Sequence, residues 1–236
     1  MNVKSKLLKI VLGKKASSED YIDHLRKKGA YVGTGTHFYS PAQISIDEQY
    51  PWLIEIGNNV QLTAGVRILT HDYSWAVLKK IYGPVLGSAG KVKIEDNVFV
   101  GSNTVILGET HIGKNTIIGA GSVVKGKIPD NCVAVGNPCR PVESIHEYYK
   151  KRLDRQFKEA KELAVSYYQH TGSIPPEELF FEFFFLFKGS DELNSIFTKQ
   201  MQLVGNYQQS KKFLMNNKRM FKDYNEFIST VLSNSK

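Results

Sequence analysis

His71 is the side chain of this 236-residue chain best placed to do chemistry. It stands near the end of IGNNVQLTAGVRILTHD (residues 56–72), where a regular pattern stops. Histidine ordinarily titrates near neutrality, so it can take up and return a proton under mild conditions. The segment that follows, THDYSWAVLKKIYGPVLGSAGK (residues 70–91), carries Tyr73, Trp75 and Tyr82 among glycines and a proline. Aromatic faces there suit a sugar ring or an adenine, and equally suit packing within a loop. Neither cysteine, Cys132 or Cys139, lies in that segment, and their spacing matches no zinc or redox motif. They read as free thiols of a cytosolic protein. Without a compelling nucleophile, chemistry at His71 is expected to be direct transfer, with no covalent intermediate on the protein.

The pattern that His71 interrupts has a period of six. It runs Val32, Phe38, Ile44, Tyr50, Ile56, Leu62, Ile68, then resumes in a shifted frame at Ile94, Val100, Ile106, Ile112, Ile118, Val124. Small or β-branched residues recur four positions later, at Val60, Val66, Val98, Thr104, Thr110, Thr116 and Ser122. A glycine often follows the aliphatic residue itself, as at Gly33, Gly57, Gly101, Gly113 and Gly119. Six is neither the helical period nor the alternation of a strand. It suits a chain that turns a corner every six residues, three sides closing one coil of a solenoid. The spacing then predicts that Ile94 stacks on Ile112, Val100 on Ile118 and Ile106 on Val124, with glycine at the strained corners. Between Ile68 and Ile94 the interval is no multiple of six, so two residues, or most of the interval, leave the coil. A loop over 70–93 with a short helical turn near Ala76–Lys80 is the result.

This pattern resembles the hexapeptide-repeat acyltransferase family, over residues 32–142. The resemblance implies a left-handed parallel β-helix; the general rule for parallel crossovers, which is right-handed, does not. The break at His71, the run KIEDNVFVGSNTVILGETHIG (93–113) and the run IGAGSVVKGKIPDNCVAVGNPCRPV (118–142) are similar to maltose and galactoside O-acetyltransferases, type B xenobiotic acetyltransferases and surface-polysaccharide O-acetyltransferases. In that family a histidine at the start of the extended loop is the catalytic base, and His71 matches it by position. Acetyl-CoA is the implied co-substrate, and no metal is expected. The matching positions make Ser102 and Ala120 backbone partners of the pantetheine arm, with a peptide N–H near Ser102 to stabilise an oxyanion. Lys125, Lys127 and Arg140 are candidates for the CoA phosphates. The family also implies a homotrimer with sites between subunits, and Tyr73, Trp75 and Tyr82 as acceptor contacts. The chain departs from relatives in Lys125-Gly126-Lys127, where many have Thr-Lys. It departs again in FYSPAQ (38–43), where galactoside enzymes keep an asparagine.

Four readings follow from these residues. The first is an O-acetyltransferase acting on a sugar or glycan precursor, with capsule or surface polysaccharide as the favoured context. The second is an amino-sugar or xenobiotic N- or O-acetyltransferase, which His71 serves equally well. The third is a scaffold without chemistry, against which the histidine, the loop and the terminal run argue. The fourth is a carbonic anhydrase of the same helix, which needs three zinc-binding histidines at a spacing that His71 and His111 do not provide.

The formal net charge of +8 is concentrated in residues 1–31, with eight Lys/Arg against three acidic residues. Residues 1–31 read as a basic N-terminal helical arm, with aliphatics interspersed in residues 1–15. That arm reads either as a peripheral contact with an anionic membrane surface or as a solvated or packed helix. It lacks signal-peptide features, no run spans a bilayer, and no nucleic-acid motif accompanies the charge. The expected location is the cytoplasm, with the arm at the inner face of the membrane as the alternative. Residues 143–236 read as a helical domain. ESIHEYYKKRLDRQFKEAKELAVSYYQH (143–170) forms a long helix with Ile145, Tyr149, Leu153 and Phe157 along one stripe, and the phenylalanine-rich ELFFEFFFLFKG (178–189) forms a short buried helix.

Overall fold

The computed structural model describes residues 9–233. The chain divides between Tyr148 and Tyr149 into two compact units.

Among the described residues of the first unit, twelve of thirteen short strands wind as a coil of parallel strands, and the last returns antiparallel to its neighbour. β1 (Tyr31–Val32), β2 (His37–Phe38) and β3 (Ser45–Ile46) lie on three faces of the first turn. β4 (Ile54–Ile56), β5 (Gln61–Leu62) and β6 (Arg67–Ile68) form the second turn. β7 (Val92–Ile94), β8 (Phe99–Val100) and β9 (Val105–Ile112) follow, then β10 (Ile117–Ile118), β11 (Val123–Ile128), β12 (Cys132–Gly136) and β13 (Cys139–Ser144). β9 and β11 each run through a corner, so two faces share one seven-stranded sheet, ordered β1-β4-β7-β9-β6-β3 with β11 on β9. The other face is the sheet β13-β12-β10-β8-β5-β2.

The eighteen-residue stacking holds where it was expected: Ile94 pairs with Ile112, Val100 with Ile118 and Ile106 with Val124. Before the loop, Ile56 pairs with Ile94, Leu62 with Val100 and Ile68 with Ile106. These partners lie farther apart in sequence than one turn, because most of the interval after Ile68 leaves the coil. All these aliphatics are fully buried. So are Thr104, Thr110, Thr116 and Ser122 beside them. Their hydroxyls donate to backbone oxygens, for example Ser122 Oγ to Gly119 O at 2.6 Å, so no polar cost is left unpaid inside the prism.

Two features of the repeat differ from expectation. Tyr50 is no inward hexad residue. Ile46 pairs with Ile68, and the chain between Ile46 and Ile54 bulges out of the coil through a 3-10 turn at Pro51–Leu53. That bulge carries Tyr50 to the outside, half-buried. The glycines that follow the aliphatic residue, Gly33, Gly57, Gly101, Gly113 and Gly119, moreover, are not at the strained corners, although Gly35, Gly65 and Gly121 are. Corner positions with positive φ are taken largely by asparagine: Asn59, Asn97, Asn103, Asn115 and Asn131, all with φ between 54° and 59°. Asparagine tolerates this region because its short side chain hydrogen-bonds locally. Asn97 Nδ2 donates to Asn115 Oδ1 at 2.9 Å, and Asn115 Nδ2 to Asn131 Oδ1 at 2.8 Å, a ladder up one corner. Gly101 and Gly113 are needed for another reason. A Cβ at Gly101 would lie 2.4 Å from Ala120 N, and one at Gly113 2.6 Å from Asp130 N.

Helix α1 (Ser18–Lys28) plugs the first end of the prism. Ser17 caps it, accepting from Asp20 N at 3.1 Å, and Gly29 ends it at φ 106°. It buries Tyr21, Ile22 and Leu25, with Tyr21 edge-on to Phe38 at 5.8 Å. In the basic arm, Lys9 pairs with Asp20 and Lys14 with Glu48, while Ile10 and Val11 remain exposed. Residues 1–8 of that arm lie outside the described residues. Among the described residues no helix is long and apolar enough to cross a membrane.

The second unit is helical. Most of α3 (Ile145–Thr171) belongs to it, with α4 (Ser195–Gln202), α5 (Tyr207–Asn216) and α6 (Tyr224–Ser233). The packed face of α3 is Phe157, Ala160 and Ala164; Tyr149 and Leu153 of the expected stripe are exposed. The phenylalanine run is not one helix. It forms two 3-10 turns, Glu177–Phe180 and Phe184–Leu186, separated by residues 181–183. Tertiary contacts override local helix preference here: Phe184 stacks on Phe197 at 4.9 Å and Phe187 on Phe227 at 5.3 Å.

Candidate active site

The neck of the loop is a hydrogen-bonded closure. Gly90 N donates to Thr70 O at 2.8 Å, and His71 forms an antiparallel bridge with Ala89. Glycine is required at position 90, since a Cβ there would sit 2.5 Å from Glu109 N. The neck therefore presses His71 against the next turn of the coil. Beyond it the loop carries helix α2 (Trp75–Tyr82), longer than the turn expected near Ala76–Lys80.

His71 is held by Asp47. His71 Nδ1 lies 2.5 Å from Asp47 Oδ2, and the Asp47 side chain is 7% exposed. Thr70 also donates to Oδ2 through both its hydroxyl and its N–H, and Gln49 N donates to Oδ1 at 2.9 Å. Burial pushes the Asp47 carboxyl up, but the hydrogen bonds from Thr70, Gln49 and His71 outweigh it and hold the group below its ordinary value. An ionised carboxylate only accepts, so Nδ1 must carry the proton. In the neutral form of the ring, Nε2 is then left with a free lone pair, the state a proton acceptor needs. Tyr50 packs edge-on against the imidazole at 5.4 Å.

His71 opens on a cavity of about 100 Å³ whose lining includes Asp72, Ser88, Gly108, Glu109 and Lys125. Lys125 is the cation of that lining. Its partner Glu109, at 3.8 Å, is as exposed as the lysine, so the pair costs little to break. Hydrogen bonds from Ser74, first its side chain and then its N–H, hold the Asp72 carboxyl low. The position can accept a proton and offer a positive charge within one cavity.

Of the residues singled out in the sequence, His71 and Lys125 share this cavity. Ser102 and Ala120 belong to successive turns of the coil: Ser102 O accepts from Gly121 N at 2.8 Å, and Ser102 Oγ lies 3.3 Å from Thr63 Oγ1. Lys127, on β11, pairs in register with His111 of β9. Arg140 sits on β13 opposite Val135 and donates to Cys139 O at 2.8 Å. Tyr73 and Tyr82 are largely exposed. Tyr73 packs on Trp75 at 4.5 Å, and Lys79 lies over the Trp75 ring. None of these three aromatics lines the cavity beside His71. His111, expected to face solvent, has its side chain 40% exposed and lies 2.7 Å from Glu95 Oε1. Among the described residues no group of three metal-ligating side chains occurs.

Asp47 and Tyr50 are the residues that sequence reasoning missed. Asp47 immediately follows the inward-facing Ile46, but the bulge that follows hid its face. A larger cavity of about 510 Å³ lies in the helical unit, among Tyr149, Leu153, Phe185, Phe213 and Met220. Its lining contains no histidine, cysteine or carboxylate.

The family described as bacterial transferase hexapeptide (six repeats) matches residues 91–126, a stretch that includes Ser102, Ala120 and Lys125. The chain is similar to Protein CapG of Staphylococcus aureus, 40% identical over 149 residues, which cover 63% of this chain and 84% of that protein. It is 36% identical over 128 residues to a galactoside O-acetyltransferase of Lactococcus lactis subsp. lactis (strain IL1403), over 53% of this chain and 59% of that enzyme. Among solved structures, a maltose O-acetyltransferase from Clostridium difficile 630 is 31% identical with a TM-score of 0.45, over 60% of this chain and 84% of that one.

Proposed function

Because the chain belongs to the hexapeptide-repeat acetyltransferase family, we propose that it moves an acetyl group from acetyl-CoA to a hydroxyl of a sugar or glycan precursor, with His71 as general base. The observation that carries this reading is the Asp47–His71 pair at the neck of the loop. Acetyl-CoA, when bound, supplies an already activated thioester. Asp47 holds the imidazole with Nδ1 protonated. His71 Nε2 removes the acceptor hydroxyl proton as the oxygen attacks the acetyl carbon. The C–O bond forms, the C–S bond breaks, and His71 returns the proton to the departing thiolate. No covalent acetyl–protein species is needed. The two cysteines, the strongest potential nucleophiles, are buried, and burial pushes both thiols up.

Lys125 in the cavity supports a role beside the CoA phosphates, with Lys127 and Arg140 as the further candidates. Ser102 and Ala120 take the backbone contacts with the pantetheine arm. The coil winds left-handed, the working form is a homotrimer with sites between subunits, and a capsule or surface polysaccharide is the favoured context. The expected location is the cytoplasm; the pairing of Lys9 with Asp20 and of Lys14 with Glu48 supports a packed arm over its alternative, contact of residues 1–15 with an anionic membrane surface.

The test is CoA-thiol release from acetyl-CoA against sugars, nucleotide sugars, oligosaccharides, amino sugars and chloramphenicol, with His71→Ala in parallel. Release that depends on a hydroxyl acceptor and disappears in the variant is the expected result. Release with amines alone would replace the O-acetyl reading. Equal release by the variant would remove His71 from the mechanism.

A further inference from the structure

We propose that Trp52, reached from His71 through Tyr50, is a stacking platform for the acceptor, and that this acceptor is a saccharide of at least two linked rings. The inference rests on the reading of His71 as the base of acetyl transfer.

The bulge between Ile46 and Ile54 supplies the geometry. Its 3-10 turn returns Ile54 to the core and leaves Trp52 outside, 66% exposed. A single exposed aromatic carries no message by itself. The arrangement of its neighbours does. Tyr50 packs edge-on against His71 at 5.4 Å and edge-on against Trp52 at 5.7 Å. Gln49 Nε2 donates to the Tyr50 hydroxyl at 3.0 Å and fixes the middle ring. Three rings thus lead outward from the base to an open indole.

An indole face is apolar and carries the negative side of the ring quadrupole. It suits the C–H face of a pyranose, whose hydroxyls point sideways to water or protein. Two ring-to-ring steps, of 5.4 and 5.7 Å, lead from the imidazole to the indole, a reach that suits a second sugar ring beyond the one presented to His71. A hydroxyl presented to His71 would therefore belong to one ring, and the ring on Trp52 to its neighbour along the chain. The other aromatic candidates have no such link to the base: Tyr73 and Trp75 pack on each other and Lys79 lies over Trp75, while Tyr82 is exposed. Among the described residues, the ring in contact with His71 is Tyr50.

The sequence holds two tryptophans, Trp52 and Trp75, so Trp75→Phe leaves Trp52 as the sole indole reporter. The full chain carrying that change is titrated with glucose, galactose and N-acetylglucosamine, and with lactose, cellobiose, maltose and diacetylchitobiose, while tryptophan emission is followed. At least one disaccharide should shift the emission saturably and bind about tenfold more tightly than its component monosaccharide. In the otherwise wild-type enzyme, Trp52→Ala should raise KM for that disaccharide about tenfold while leaving KM for acetyl-CoA unchanged. Trp52→Phe should restore part of the loss. The exposure of Trp52 means that neither variant should disturb folding, which circular dichroism checks. No emission change with any saccharide overturns the proposal, as does a Trp52→Ala enzyme that keeps its disaccharide preference. A changed particle mass for Trp52→Ala in sedimentation also overturns it, because Trp52 would then be a subunit contact. Saccharide-dependent emission without thiol release would defeat the transfer reading and leave the platform standing. Thiol release indifferent to Trp52 would do the reverse.

Discussion

Asp47 and His71 lie 24 residues apart in sequence, yet Asp47 Oδ2 and His71 Nδ1 are 2.5 Å apart, on neighbouring turns of one coil. Strand β3 pairs with β6, so the residues that follow each strand meet. A buried acceptor is thereby placed behind a histidine that opens on a cavity, an arrangement that holds one tautomer of the ring.

Replacing His71 with alanine is expected to reduce kcat by about 10²- to 10⁴-fold, the range for loss of a general base. Folding should be little changed, since the side chain is 27% exposed. Thiol-release kinetics and calorimetric titration with CoA are the measurements. Lost turnover with retained CoA binding is the expected pair of results.

Asp47→Asn should lower kcat and also make stability respond differently to pH. The Asp47 carboxyl titrates below its ordinary value in the folded protein. Such a group stabilises the fold above its unfolded pKa of about 3.9, and that contribution is lost as pH falls through the lower folded value. The variant should therefore be less stable than the parent by about 1.5–3 kcal/mol near neutrality. The gap should shrink as pH falls below about 4, where the parent carboxyl takes up its proton. Urea midpoints measured from about pH 7 down to about pH 3 test it. A gap that failed to shrink below about pH 4 would contradict the assignment.

Glycine substitutions should separate close approach from backbone conformation. Gly101→Ala places a Cβ against the backbone of Ala120 and should cost about 1–3 kcal/mol through overpacking. Gly121→Ala meets no atom within 4 Å but occupies a φ of 70°, so its cost should be about 1–2 kcal/mol from backbone strain alone. Asn at position 121 should recover part of that loss, as asparagine serves the equivalent corners, but Asn at 101 should be worse than alanine. Thermal melting of the four variants decides the matter.

Cys132 and Cys139 should resist thiol reagents in the folded protein. Both are buried, and burial raises both thiols, so little thiolate is available at neutral pH. Labelling by a chromogenic disulfide should be slow in buffer and rapid in denaturant. Rapid native labelling of either residue would show that the end of the coil around β12 and β13 opens readily.

Much of the coil was legible because each six-residue side makes the same local demand. An inward aliphatic at Ile94 needs one at Ile112, and a small residue beside it, wherever the coil continues. The break at His71 was legible for the same reason: the count fails there. The cause of each glycine was less so. Close approach between turns at Gly101, and positive φ at Asn103, are both invisible until the turns are stacked.

The sequence by itself determined the repeat, the inward set of aliphatics and the position of the histidine where the repeat stops. Only the tertiary structure decided what stands behind and beside that histidine. Asp47, Tyr50 and Trp52 lie in or next to a bulge whose length follows no period, so counting could not say which way they face. The phenylalanine run obeyed the same limit. Its rings turn toward Phe197 and Phe227, partners far along the chain, and those contacts, more than local propensity, set the shape of its backbone.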